Sequence, residues 1–295
     1  MCVVDDRPCR VHKVATLTVN EDETLVVGVT VLGDRIYVVS RMSDVITVFT
    51  SQQPFRRLQD IVVNGLLYPV DIAASVNIGC LYLSDTDSVV VWRISVNDGA
   101  VVQWLTGLRA RSVSVTSDDK VVLLVAVDIQ GSVNERNSTW RGQVHVYSPD
   151  TVIETLITLS PDITSPWSVI MRTRKTFIVS YGVPWHEVNG VCEVDTTGRV
   201  LKAFGSSPGR DVGQLNMPRR VSLDDKERVI VADTNNRRVM LLNKQLTSSR
   251  ILLTWHQQSL GDEADAPCTQ YYDHHTGTLL VGLWSGHVDV YKIIN

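Results

Sequence analysis

Two insertions in this chain carry side chains able to do chemistry at a surface. One is VDIQGSVNERNSTWRGQ, with Arg136, Trp140 and Arg141; the other is YGVPWHEVNG, with Trp185 and His186. With Trp167 they bring indole rings, guanidiniums and an imidazole into neighbouring parts of the chain. Trp and Arg are the residue types most enriched where proteins hold other proteins. Trp140, Arg141, Trp167, Trp185 and His186 therefore form the predicted site for a protein or peptide partner. The competing reading has the rings plugging their own loops. A second, basic set comprises Arg109, Arg111, Arg219, Arg220 and Arg237, which could engage the phosphates of single-stranded RNA. Its alternative is solvated charge beside Asp211, Asp224, Asp225 and Asp233.

Residues suited to catalysis are sparse. His186, His256 and His287 share no zinc-site spacing. The tips Asp85-Thr86-Asp87 and Asp233-Thr234-Asn235-Asn236 lack the Gly and distal Glu of a calcium-binding hand. Their Asp and Asn oxygens are expected to accept backbone N–H groups and pin hairpins. Asp71 is the one carboxylate in the segments read as innermost, and an oxygen hydrogen-bonded to strand backbone is favoured there over a metal ligand. No metal and no cofactor are expected. The five cysteines, Cys2, Cys9, Cys80, Cys192 and Cys268, are scattered without a CxxC pair, pointing to a reducing, cytoplasmic setting. The N-terminus shows no apolar signal-peptide core and no run reaches membrane-spanning length, so glycosylation of the sequon at Asn137 is not expected. A net charge of -4 offers no global attraction to phosphate.

The elements that must position these residues are repeated. An apolar strand before a polar tip recurs at Ile36, Leu81, Leu123, Phe177, Val229 and Leu279, at intervals of 45, 42, 54, 52 and 50 residues. Each tip is followed by another alternating strand, as in Val45 to Phe49 or Val239 to Leu242, and period-two alternation rich in Val, Ile and Thr marks strands throughout. Pro69, Pro166, Pro218 and Pro267 precede or open first strands, where a residue with fixed φ and no N–H fits. Six such units predict an all-β, six-bladed β-propeller occupying residues 1–295 as one domain. The sixth unit has only three strands, so residues 13–20 (KVATLTVN) are predicted to supply its outermost strand and close the ring, protecting the sheet edges.

The best-formed unit runs from the Gly-rich loop after Phe204 through Met217-Pro218, Val229 to Asp233 and Asn236-Arg237-Arg238. It resembles the NHL repeat, with its Pro, its apolar strand ending in Val-Ala-Asp and its following Asn-x-Arg. That resemblance implies a non-catalytic platform, which in tripartite-motif ubiquitin ligases commonly follows a RING finger, B-boxes and a coiled coil and recruits the partner; none of those modules is present here. It also gives Arg238 a structural role. The top face, where second-to-third-strand loops and inter-blade connections emerge, is then the expected binding face of a monomer with no membrane attachment. Other propellers of the lactonase-like kind are hydrolases or lyases with a metal in the central channel, and they stand as the enzymatic alternative.

Overall fold

The computed structural model describes residues 10–19, 24–130, 139–184, 186–255 and 265–294. Trp185, His256, Cys2, Cys9, Arg136 and Asn137 lie outside them. Six four-stranded antiparallel sheets are arranged as a six-bladed β-propeller. From the innermost strand outward, blade 1 is Val26–Leu32, Arg35–Ser40, Val45–Thr50 and Ile61–Val62. Blade 2 is Pro69–Ser75, Cys80–Asp85, Val90–Ser95 and Val101–Thr106, and blade 3 is Ala110–Val115, Val121–Gln130, Thr139–Tyr147 and Ile153–Thr158. Blade 4 is Pro166–Thr173, Thr176–Tyr181, Asn189–Asp195 and Val200–Ser206, and blade 5 is Pro218–Leu223, Val229–Asp233, Arg238–Leu242 and Ser249–Thr254. Blade 6 takes Pro267–Asp273, Thr278–Leu283 and His287–Ile294 from the end of the chain and Arg10–Thr18 from its start.

That last pairing, Arg10 opposite Ile294 through Thr18 opposite His287, closes the ring as the repeat count predicts. Closure matters because each blade must bury both faces. Six apolar clusters fill the six gaps between adjacent sheets; the one between blades 6 and 1 joins Leu17 and Val19 to Val29, Ile36, Phe49, Leu280 and Val288. An open array would leave two such faces wet. The four prolines are all first residues of inner strands.

Each inner strand also begins with a register shift, between Val26/Gly28, Pro69/Asp71, Ala110/Ser112, Pro166/Ser168, Pro218/Arg220 and Pro267/Thr269. A β-bulge leaves one residue unpaired and re-aims its side chain. The skipped residues occupy equivalent places around the ring: Val27, Val70, Arg111, Trp167, Arg219 and Cys268.

Asp85 and Asp233, ending the second strands of blades 2 and 5, tie the top loops together. Asp85 accepts the N–H groups of Leu67, Tyr68, Asp87 and Ser88. Asp233 accepts from the Asn216 N–H, the Asn236 amide and the Arg238 guanidinium, and Arg238 also donates to the carbonyls of Arg210 and Gln214. Arg238 is thus a buried clamp of the connection between blades 4 and 5.

Candidate binding face at the mouth of the channel

The site is built by the bulges. Because three adjoining blades carry Arg111, Trp167 and Arg219 at the skipped position, these side chains meet at the top of the inner strands. The Arg111 guanidinium lies 4.8 Å from the Trp167 ring centroid and Arg219 lies 5.0 Å from it, so one indole receives a cation from each neighbouring blade. Arg111 also sits 4.5 Å from the Trp140 ring, and Arg219 sits 6.0 Å from the half-exposed Trp284. Such cation–π contacts each contribute roughly 0.5–2 kcal/mol. Arg41, exposed on the hairpin tip of blade 1, completes the group over the Tyr68 ring at 4.8 Å.

Trp140 underlies this surface rather than forming it. It is 4% exposed, packs edge-to-face on Trp167, contacts Ala126 and Val183, and donates its Nε1–H to the Pro166 carbonyl. Trp167 is half-buried and donates to the Gly182 carbonyl. Of the rest of the predicted partner site, Arg141 is exposed on its strand, opposite Val127. His186 is partly exposed, its N–H bonded to the Val183 carbonyl and its Nε2 buried without a partner.

The predicted basic set divides. Arg111 and Arg219 form the mouth. Arg109 donates to the Thr86 carbonyl. Arg237 takes a left-handed conformation, φ 52°, at the end of the short 3-10 turn Thr234–Asn236, with its N–H on the Thr234 carbonyl. Arg220 turns down the channel. From blade 5 it forms an ion pair with Asp71 of blade 2, three blades away in a ring of six, and also donates to Ser112 Oγ and the Val113 carbonyl.

Arg220 and Asp71 belong to a second layer, formed by the residue after each bulge. Asp71 accepts the Val113 N–H of blade 3 at 2.9 Å, Ser112 accepts the Val169 N–H of blade 4 at 3.4 Å, and Ser168 accepts the Val221 N–H of blade 5 at 3.5 Å. In blade 1 the equivalent residue is Gly28, where a Cβ would come within 2.9 Å of the Ile72 nitrogen; that N–H is served by Asp71 Oδ1 instead. Burial holds the Asp71 carboxyl above the usual carboxylate range, opposed by Arg220 and by the N–H groups of Val113 and Ile72. Asp71 is thus the backbone acceptor that the sequence suggests, with a cross-channel cation added. Among the described residues no three His, Cys, Asp or Glu side chains converge to hold a metal ion.

Electrostatically the mouth has no direct ion pair, and Asp87 offsets its charge only in part. Among the described residues no carboxylate lies within ion-pair distance of Arg41, Arg111 or Arg219, whereas Arg172, Arg220, Arg228 and Arg238 each have one. Burial, then Arg219, Arg41 and Arg109, push Arg111 below the usual guanidinium range, with partial relief from Asp87. Burial does the same to Arg219. Arg219 Nε is also buried without a hydrogen-bond partner. Sequence reasoning passed over Arg41 and Trp284, although both lie in hairpin tips assigned to the top face. The bulge at each inner-strand start, which brings Arg111, Trp167 and Arg219 into one group, is the signal that would have joined the two predicted sets.

No family model matches the chain, and no curated protein matches it. Among solved structures it is similar to a protein of unknown function from Bacteroides caccae, 12% identical, with a TM-score of 0.59 over 84% of this chain and 81% of that one. At that identity the likeness concerns the fold. The molecule is a six-bladed β-propeller, and among the described residues no helix is long and apolar enough to cross a membrane.

Proposed function

We propose that this propeller is a non-catalytic interaction platform of the NHL-repeat kind, binding a protein or peptide through its top face. The observation that carries the reading is the mouth itself, where three guanidiniums with no carboxylate in ion-pair contact among the described residues sit among Trp167, Trp284 and Tyr68. Guanidiniums held side by side repel one another in the free protein, and a bound partner of opposite charge relieves that repulsion. Exposed Met42, Leu67, Val188 and Val212 on surrounding top loops extend the apolar area such a partner would cover. The repeat motif around Pro218 to Arg238 supports the NHL assignment. In a ligase assembly of the tripartite-motif kind this domain would recruit the substrate, the transfer chemistry lying on other modules, and a monomeric cytoplasmic protein fits that role. The Arg220–Asp71 pair occupies the channel where a lactonase-like enzyme would hold its metal, and this weighs against the enzymatic alternative.

The test compares variants for partner capture and stability together. Arg41→Gln with Trp284→Ala should reduce capture at least tenfold with an unchanged melting temperature. Trp140→Ala should instead lower stability by about 3–5 kcal/mol, as expected for removing a buried Trp. Capture that survives the first pair and fails only on bottom-face substitutions would refute the top-face reading.

A further inference from the structure

We propose, resting on the top-face reading, that the channel mouth is a receptor for carboxylate: an acidic peptide segment places a Glu or Asp side chain against Arg41, Arg111 and Arg219. Three features define this ligand. The cations converge on one point of the rim, because Arg111 and Arg219 meet over the Trp167 ring with Arg41 and Arg109 close by, while Arg220 and Arg238 are held in ion pairs. A nucleic-acid backbone needs a track of cations, whereas one or two carboxylates need a point.

The second feature is the state of the rings. Trp167 already carries two guanidiniums and the edge of Trp140, and Trp140 is buried. Neither is an open stacking platform, and of the three indoles at the mouth Trp284 alone is exposed, whereas single strands stack on successive rings. Here the indoles orient the guanidiniums, holding extended cations by their planes and leaving N–H edges for an acceptor. The third feature is an unmet donor. The buried Arg219 Nε–H has no acceptor in the protein, and a carboxylate could bind guanidinium N–H groups in a two-point geometry. Exposed Met42, Leu67 and Trp284 nearby suit the apolar flanks of a peptide better than a run of phosphates.

Fluorescence polarisation with labelled tetraglutamate, tetraglutamine and decauridine provides the test. Tetraglutamate should bind saturably, with half-saturation below about 1 mM and falling affinity in salt. Tetraglutamine should not compete. Arg111→Gln and Arg219→Gln should each weaken tetraglutamate at least tenfold. Arg41→Gln, at an exposed position, should weaken it several-fold without altering the melting temperature, which keeps the test valid if either inner variant folds poorly.

The proposal is overturned by absence of saturable tetraglutamate binding, by equal competition from tetraglutamine, or by parental affinity in Arg41→Gln and the folded inner variants. Tighter binding of decauridine with the same arginine dependence would overturn it in favour of nucleic acid. Failure of tetraglutamate while the Arg41→Gln, Trp284→Ala pair still loses its partner would remove the carboxylate and leave the platform. Failure of both would remove both.

Discussion

Asp71→Asn is expected to destabilise the propeller by about 3–5 kcal/mol, the range for breaking a buried ion pair by removing one partner. The change leaves the Arg220 side chain, 11% exposed, without its counter-charge in the channel. It also weakens the acceptor for the Ile72 N–H on the same strand and for the Val113 N–H, the bond that joins blade 2 to blade 3. Arg220→Met should be destabilising as well, because it strands the carboxylate. Asp71→Asn combined with Arg220→Met should recover much of either loss, since no charge is then left unpaired and the amide oxygen still accepts a backbone N–H. Equilibrium urea unfolding of both single variants and the pair gives the coupling directly. Single losses below about 1 kcal/mol that simply add would show that the pair does not bridge blades 2 and 5.

Removing residues 10–18 is expected to have the other large effect. The deletion uncovers the edge of His287–Ile294, withdraws Leu17 from the cluster between blades 6 and 1, and takes Thr16 and Lys13 away from the buried Asp289. An unpaired edge beside wet apolar surface promotes association. The truncated protein should melt at least 10 °C lower, a magnitude reflecting several kcal/mol, and should form soluble aggregates in size-exclusion chromatography. Leu17→Asp should reproduce part of the loss in the full chain. A truncated protein that melts like the parent and elutes as a single compact species would mean that the ring is not held by this strand.

The fold was largely legible because its signals are local. Apolar strands before polar tips recur along the chain, prolines sit where a first strand opens, and an alternating segment near residue 13 matches the strand that completes the last unit. The short outer strand Ile61–Val62 was not legible, since two residues carry no alternation. The site was harder for a physical reason. Asp71 and Arg220 are separated by 149 residues and meet only because blades 2 and 5 face each other across the channel. Arg111, Trp167 and Arg219 meet because each is the skipped residue of a bulge, a feature without a side-chain signature. Trp140 and Trp167 were found by type. Only packing separates them, one as a buried support and the other as the centre of the stack.

The central claim, that the top face around Arg41, Arg111 and Arg219 is where the partner sits, is tested most directly by photocrosslinking from opposite ends of the propeller. A benzophenone side chain at exposed Met42 reports on the top mouth, and one at exposed Lys175, on the hairpin joining the first two strands of blade 4, reports on the bottom. In an extract of the native cells, irradiation should join a defined protein to position 42 and not to position 175, and Arg111→Gln should abolish that adduct. An adduct formed from position 175 alone, or one from position 42 that persists at equal yield in Arg111→Gln, would contradict the account.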